Sequence, residues 1–409
     1  MHANMLKFGF GGINRQELLM SSSIYLDNSA TTKVRPEVVE AMLPYLGETF
    51  GNASSLHSQG KAAKDGIERA RQSVAKLLNC LPEEIYFSPC GTYSNNVALI
   101  GRARFAEANG LGRHLITTAI EHPSVIGPAK YLEANGWRVT YLPVDAEGFI
   151  DLNEFKQSIS KETSIVSIMW ANNEIGTIEP IEEISRICAE KEIYFHTDAV
   201  QTAGKLAMDM TALPISTLSL SGHKFYAPKG IGILYVRSGV NLMPVVFGAG
   251  QEKGLFPGTQ NLANIVGIGL AAELAHNELQ SAYKKLRRAQ KILTDAFLAV
   301  DGVRLTGPVD AEKRVPGHVS IGVQGAEGEA IILRSDLKGV CVSSGSACHS
   351  GVIEPSAVLK AVGLPRAFAL GSARISAGSL NTEPEIEQGS KILASVFKAL
   401  QKSAVNSKR

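Results

Sequence analysis

The strongest constraint on the fold is an alternation of helical patterns with short apolar runs between about residues 60 and 240. The segment "KDGIERARQSVAKLL" is followed by "EIYF", "VIGPAKYLEANG" by "VTYLPV", and "IEEISRICAEK" by "IYFHTDA". Amphipathic helices that alternate with short strands are typical of repeated βαβ units. The sequence therefore predicts an α/β protein with a mainly parallel sheet flanked by helices.

A second helical pattern, from about Asn277 to Val300, places apolar side chains at Leu279, Tyr283, Leu286, Leu293 and Phe297. We interpret it as the start of a smaller α+β domain over 276–409, which follows a large domain over 24–275. The first residues of the large domain are expected to pack on the small one, after an N-terminal arm over 1–23. Because there is no low-complexity linker, the two domains should form one rigid body with a cleft between them.

The charge balance and the cysteines limit the classes of partner. The chain has 41 Lys and Arg against 39 Asp and Glu, a net charge of +2, so neither nucleic acid nor a membrane surface is expected as a partner. The five cysteines lack the spacing of a disulfide scaffold or a zinc site, which favours a reducing compartment. No stretch approaches the roughly 18 apolar residues of a membrane helix, and we expect a cytoplasmic protein.

A lysine ends one of the apolar runs. In "SLSLSGHK" the alternation stops at Ser221, and Lys224 follows three residues later. A lysine at the end of a buried strand is unfavourable unless it is paired, neutralised or used covalently. Lys224 could form a Schiff base with an aldehyde cofactor, and the alternative is a lysine on a surface turn.

A carboxylate ends the preceding run, in "YFHTDAVQ". Asp198 could keep a pyridine nitrogen protonated, which makes the ring a stronger electron sink. His196 shares a strand face with Asp198, and the two could instead be metal ligands. No third ligand has suitable local spacing, so we favour the cofactor interpretation.

Two further turns carry candidate binding groups. The segment "EIYFSPCGTYSNN" predicts a strand, a turn of small residues and then a helix that begins near Thr92 or Tyr93. The N-terminus of this helix would form a phosphate site. In "EHPSV", His122 follows a strand and could stack on a flat ring or pass protons, although a structural histidine is the alternative.

Together these motifs resemble the pyridoxal-phosphate-dependent cysteine desulfurases of the class V aminotransferase family. The resemblance extends from "YLDNSATT" to "GSARISAG" and includes "GNASSLHSQG", "EHPSV", "ANNEIGTIEP", "HTDAVQ", "SGHK", "PGT" and "SSGSAC" in the order of the family. It implies fold type I of the pyridoxal-phosphate enzymes, with a seven-stranded type of sheet in the large domain. The loop after "SSGSAC" is similar to the longer loop of the NifS and IscS group.

The resemblance also implies roles for individual residues. Lys224 would carry pyridoxal 5'-phosphate, Asp198 would pair with the ring nitrogen, Gln201 would contact the phenolic oxygen and His122 would stack over the ring. The remaining cofactor contacts would come from Gly91, Thr92, Asn173, Ser221, His223 and, across a homodimer interface, Thr259 of the partner subunit. Asn173 and Arg374 would hold the α-carboxylate of the substrate.

Cys348, in "SSGSAC", matches the position of the catalytic cysteine of the family. The resemblance implies that L-cysteine displaces Lys224 from the cofactor, that the freed amine takes the α-proton, and that the Cys348 thiolate attacks the substrate sulfur. The products would be L-alanine and a persulfide on Cys348, which passes to a sulfur-acceptor protein or an iron–sulfur scaffold.

Three residues depart from the usual pattern of the family: Tyr93 replaces a glutamate, Phe256 replaces an arginine found in many members, and His349 follows the cysteine. Three alternative functions stay open at this point. One is a selenocysteine lyase, or another lyase for cysteine derivatives, on the same fold. The second is an inactive pyridoxal-binding scaffold, and the third is a zinc hydrolase using His196, Asp198 and His223.

Overall fold

The computed structural model describes residues 23–349 and 352–406, and the side chains of residues 346–353 and 403–406 lie outside the description. The first part of the chain contains β1 (Ile24–Tyr25), α1 (Pro36–Met42), α2 (Ser58–Leu78), β2 (Ile85–Ser88), α3 (Gly91–Ala108), β3 (His114–Thr118), α4 (Pro123–Ala134), β4 (Arg138–Leu142), α5 (Leu152–Ser158), β5 (Thr163–Ser167), α6 (Ile181–Glu190), β6 (Tyr194–Asp198), β7 (Thr217–Ser221) and β8 (Gly232–Val236). The second part contains α7 (Leu262–Leu298), β9 (Val303–Leu305), β10 (His318–Val323), α8 (Gly328–Asp336), β11 (Val340–Cys341), β12 (Ser346–His349), β13 (Val352–Pro355), α9 (Ala357–Ala361), α10 (Arg366–Ala369), β14 (Ser372–Ser376) and α11 (Glu383–Asn406). Short 3₁₀ turns lie at Leu43–Leu46, Pro82–Glu84, Gly222–Lys224, Gln251–Gly254 and Ala311–Lys313.

The main sheet of the described residues has seven strands in the order β2-β8-β7-β6-β5-β3-β4. Strands β3 to β7 pair in parallel, whereas β8 is antiparallel to both of its neighbours, β2 and β7. The prediction of a mainly parallel sheet is therefore confirmed. Because β2 runs in the same direction as β7, the carboxyl ends of six strands meet at one edge, where α/β proteins bind ligands.

Both faces of this sheet are covered by helices. Neighbouring residues of one strand point to opposite faces, and accordingly Ile116 and Phe195 pack in the core beneath α2, α6 and α7, whereas Leu115 and Tyr194 pack beneath α3 and α4. Cys188 of α6 is fully buried in the first of these cores, as its apolar helical spacing predicts.

A second core lies around the three-stranded antiparallel sheet β14-β10-β9. It is formed with the C-terminal half of α7 and with α8 and α11, and includes Leu293, Ile321 and Phe397. The N-terminal strand belongs to this part of the molecule, since β1 pairs with β11 and Ile24 and Leu26 are part of this core. Among the described residues, no helix combines the length and the apolar character that spanning a bilayer requires.

Two helix starts differ from the sequence prediction. Helix α7 begins at Leu262 rather than near Asn277, because its first turns, with Ile265 and Ile268, are buried in the core shared with α2 and lack the polar stripe of an amphipathic helix. Helix α3 begins at Gly91 rather than at Thr92 or Tyr93.

Candidate active site

A cavity of about 340 Å³ lies at the carboxyl edge of the main sheet. It brings together most of the candidate residues that the sequence places in separate motifs. These are Gly91, Thr92, His122, Asn173, Asp198, Gln201, Ser221, His223, Lys224 and Arg374. All but Arg374 follow or end strands of the main sheet, while Arg374 enters from β14 of the second sheet.

Lys224 lies in the 3₁₀ turn that follows β7. Its Nζ donates to the carbonyl oxygens of Ser29 and Ala30, at 2.7 Å each. Burial, and next the positive charge of Arg374, lower the pKa of Lys224 to about 8, although Asp198 and Asp27 oppose this shift. Because more of the amine is unprotonated near neutral pH than for an exposed lysine, Lys224 is suited to nucleophilic chemistry.

Asp198 is buried at the end of β6 with both carboxylate oxygens engaged. Its Oδ2 accepts from Asn95 Nδ2 at 2.7 Å, and its Oδ1 accepts from the backbone N–H of Val200 at 3.0 Å. These bonds fix the carboxylate at the wall of the cavity. The sequence analysis missed Asn95, although its position one helical turn after Gly91 on α3 could have indicated that it faces the same site.

His196 contributes to this arrangement from behind Asp198. Its Nε2 lies 3.0 Å from Asn95 Oδ1, and its Nδ1 lies 2.9 Å from Thr217 Oγ1. Burial lowers the pKa of His196 to about 3. Both ring nitrogens are thus within hydrogen-bonding distance of protein groups. His196 therefore supports the site structurally and is not the metal ligand that the metal alternative required. Across the described part of the chain, no three His, Cys, Asp or Glu side chains form a group that could hold a metal ion.

One end of the cavity has the features of a phosphate site. Cys90 is the N-cap residue of α3, and its side chain makes no capping hydrogen bond. The first N–H groups of this 18-residue helix are therefore not occupied by the side chain of the N-cap residue. A Cβ atom on Gly91 would lie 3.0 Å from Val200 Cγ2 and 3.2 Å from Ser221 Cβ. A glycine therefore suits this tight corner, where backbone groups can approach an anion closely.

The two histidines of the cavity are held by different bonds. Burial, with the charges of Lys224 and Lys229, lowers the pKa of His223 to about 4, so His223 is neutral and its Nδ1 lies 3.1 Å from Thr31 Oγ1. His122 caps α4, and its Nδ1 accepts from the backbone N–H of Ser124 at 3.1 Å. This bond leaves Nε2 as the protonated nitrogen of His122 when the ring is neutral.

Arg374 carries an unused donor. Its Nη2 forms an ion pair with Asp27 Oδ1 at 3.0 Å, and its Nη1 donates to the carbonyl oxygen of Asn173 at 3.1 Å. Its Nε is buried and has no hydrogen-bond partner among the described residues. A buried unpaired N–H group is unfavourable, so an anionic ligand in the cavity would satisfy it. The ion pair with Asp27 was not foreseen from the sequence.

Thr259 is not brought into this cavity, and the side chain of Cys348 lies outside the described residues. Thr259 lines a separate cavity of about 260 Å³, together with Tyr93 and Phe256, so the two substitutions relative to the usual family pattern share one surface. Cys348 lies on β12, which pairs with β13 as a hairpin, but its side chain and that of His349 are outside the described residues. The ends of the hairpin are joined by a 2.9 Å bond from Ser356 N–H to the Gly345 carbonyl.

Comparison with known proteins identifies the family to which the chain is similar. Residues 24–388 match the family model described as aminotransferase class-V. A cysteine desulfurase IscS of Clostridium botulinum is 44% identical over 380 residues, covering 93% of this chain and 95% of the relative. A cysteine desulfurase of Nostoc sp. is 45% identical over 381 residues, covering 93% and 94%.

Solved structures agree with this assignment. A NifS-like protein superimposes with a TM-score of 0.86 at 37% identity, covering 92% of this chain and 100% of that one. The structure titled "SspA in complex with cysteine" has a TM-score of 0.76 at 34% identity, covering 88% and 99%. On these matches, and on a fold and cavity of the kind that the motifs imply, the chain belongs to the class-V aminotransferase family.

Proposed function

We propose that this protein is a cysteine desulfurase, a pyridoxal 5'-phosphate enzyme that converts L-cysteine into L-alanine and a persulfide on Cys348. The observation that carries the proposal is the single cavity that joins Lys224, Asp198 and Arg374. A pyridoxal-phosphate enzyme for amino acids requires a reactive lysine, a carboxylate for the ring nitrogen and a group that binds the substrate carboxylate. The cavity supplies a lysine with a lowered pKa, a carboxylate fixed by hydrogen bonds and an arginine with a buried N–H that has no partner among the described residues.

The residues present fit pyridoxal 5'-phosphate at both ends of the cavity. Lys224 would attach it and Asp198 would pair with the ring nitrogen, while Gln201 would contact the phenolic oxygen and His122 would stack on the ring. The phosphate would be held by the N-terminus of α3 and by groups at Gly91, Thr92, Ser221 and His223. When bound, the cofactor supplies an electron sink that stabilises negative charge on the α-carbon of the substrate.

The protein's own groups then perform the proton and sulfur transfers. Lys224, as a free amine, takes the α-proton, since burial keeps part of it unprotonated at neutral pH. The Cys348 thiolate attacks the sulfur of the bound cysteine. A sulfur–sulfur bond forms as the carbon–sulfur bond breaks, and the carbon keeps the electron pair and gains a proton to give alanine. The persulfide is then available to a sulfur-acceptor protein or an iron–sulfur scaffold.

The α-carboxylate of cysteine would contact Asn173 and the free Nε–H of Arg374. Lysine in place of Arg374 keeps the charge opposite Asp27 but loses the planar set of donors. A charge-assisted hydrogen bond contributes about 1.5–3 kcal/mol, so we expect Arg374→Lys to raise KM for cysteine by about 10- to 100-fold. Steady-state alanine release measures this, with the exposed Arg366→Lys as control. An unchanged KM would remove Arg374 from the substrate site.

We also propose a homodimer in which Thr259 completes the phosphate site of the partner subunit. The support is indirect: Thr259 lines its own cavity rather than the one around Lys224 of the same chain. For location, the number and spacing of the cysteines favour a reducing compartment, and we propose the cytoplasm.

The experiment that tests the function is incubation of the holoenzyme with L-cysteine and a reductant. We expect alanine and sulfide to be released in equal amounts. A protein that keeps its cofactor but releases no alanine would be the scaffold considered above. Release of alanine from selenocysteine but not from cysteine would instead indicate a selenocysteine lyase.

A further inference from the structure

Lys205 is a buried lysine outside the cavity wall. It lies in the turn after β6, and only 8% of its surface is exposed. Among the described residues it takes part in no ion pair. The nearby positive charges of Lys224 and Arg374 add to the effect of burial, which is the larger cause, and together they lower the pKa of Lys205 to about 7. A buried amine without a carboxylate partner is unfavourable unless it serves a purpose.

Among the described residues, the amine of Lys205 makes one hydrogen bond, and it is to a residue of the cavity wall. Its Nζ donates to Gln201 Oε1 at 3.4 Å, and Gln201 Nε2 donates to the carbonyl oxygen of Ser29 at 3.1 Å. That carbonyl also accepts from Lys224 Nζ at 2.7 Å. Lys205 is therefore linked to Lys224 through Gln201 and Ser29.

This link determines which end of the Gln201 amide faces which neighbour. In its ammonium form Lys205 has only donors, so the atom of Gln201 that it contacts is then the carbonyl oxygen. The NH₂ end of Gln201 must then point toward Ser29 and the cavity. Without Lys205, only the Ser29 carbonyl among the described residues would hold the amide in this orientation, and rotation that presents the amide oxygen to the cavity would be less unfavourable.

We propose that Lys205 is a positioning residue, which holds the Gln201 amide so that its N–H groups face the phenolic oxygen of the cofactor. The inference rests on the proposed contact between Gln201 and that oxygen. A hydrogen-bond donor at the phenolic oxygen stabilises the negative charge of that oxygen. The oxygen then attracts a proton on the neighbouring nitrogen of Lys224 less strongly. Lys205 would thus favour release of that proton without touching the cofactor.

The test is the pH midpoint at which the visible absorbance of the holoenzyme changes. Lys205→Met removes the donor and keeps most of the side-chain length. We expect the midpoint to rise by about half a unit to one unit, the size of one hydrogen bond. Gln201→Ala should raise the midpoint in the same direction, and the double variant should match Gln201→Ala alone. The exposed Lys130→Met is the control and should keep the midpoint of the parent.

Two results would overturn the proposal: an unchanged midpoint in Lys205→Met that still binds the cofactor, or full additivity of the two shifts in the double variant. If Lys205→Met does not fold, Lys205→Gln serves instead, because a neutral amide does not fix the orientation of Gln201 and should also raise the midpoint. A merely structural role would lower the unfolding midpoint and leave the absorbance midpoint in place. The absorbance test does not need cysteine turnover, so failure of the proposed function would be seen separately, as absent alanine release.

Discussion

Replacing Lys224 with alanine is expected to lower alanine release from cysteine by at least about 10²- to 10⁴-fold, the contribution of a positioned acid–base group. The variant loses both the amine that attaches the cofactor and the group that takes the α-proton. Among the described residues, Lys224 donates only to the carbonyls of Ser29 and Ala30, so its removal should leave the fold intact. We expect the cofactor to be lost on gel filtration while the thermal unfolding of the apoprotein changes little.

The matched control is Lys229→Ala, an exposed lysine five residues later. It should keep the cofactor and the turnover of the parent. If Lys224→Ala kept a stable visible absorbance band and normal alanine release, the assignment of Lys224 would be wrong, since no other group in the proposal attaches the cofactor.

The lowered pKa of Lys224 predicts how the attachment of the cofactor depends on pH. Protonated amine cannot attack the aldehyde, so the rate at which apoprotein takes up the cofactor should rise as the pH increases through about 8 and then level off. An exposed lysine, with an ordinary pKa of about 10.4, would show that rise roughly two units higher.

The parts of the site that the sequence predicts are those that follow from strand direction. Lys224 and Asp198 each follow an apolar run, and parallel strands place the ends of such runs at one edge. The direction of β8 and the true start of α7 were not predictable in this way. An apolar run looks alike in either direction, and a largely apolar helix start shows no polar stripe.

The supporting contacts escaped prediction because they join distant residues. Asn95 meets Asp198 from 103 positions away, and Asp27 meets Arg374 from 347 positions away. No local pattern marks such pairs, and only the fold brings them together. Lys205 was missed for a different reason: a lysine after a strand is ordinarily exposed, and only its burial in the fold distinguishes it.

The surface that carries Thr259 differs in chemistry from the pattern that the family resemblance implies. Tyr93 and Phe256 stand where a glutamate and, in many members, an arginine are usual, and both line one cavity with Leu255. Tyr93 is 48% exposed, whereas Phe256 is buried. If this surface meets a partner subunit as proposed, apolar contacts stand where the usual residues are charged, and the association should be less sensitive to salt.

Replacing Cys348 with serine is expected to lower sulfide release from cysteine on the order of 10³-fold or more, as removal of a nucleophile does in other enzymes. Three of the other four thiols are poor substitutes, because burial raises the pKa of Cys80 and of Cys188 to about 12 and also raises the pKa of Cys341. Since Lys224, Asp198 and Arg374 remain in Cys348→Ser, cysteine should still bind and still change the visible absorbance of the holoenzyme.

Mass measurement of peptides after incubation with cysteine separates this role from a general loss of structure. In the parent, and in the control variant Cys341→Ser, the peptide that contains Cys348 should gain one sulfur atom. In Cys348→Ser no peptide should gain it. Sulfur on a peptide that contains Cys90, which lines the cavity, would contradict the assignment, because it would show that a thiol in the cavity wall is the acceptor. The two thiols lie on different structural elements, the turn before α3 and the hairpin β12–β13, so one digest distinguishes a fixed acceptor in the cavity wall from one carried on the hairpin.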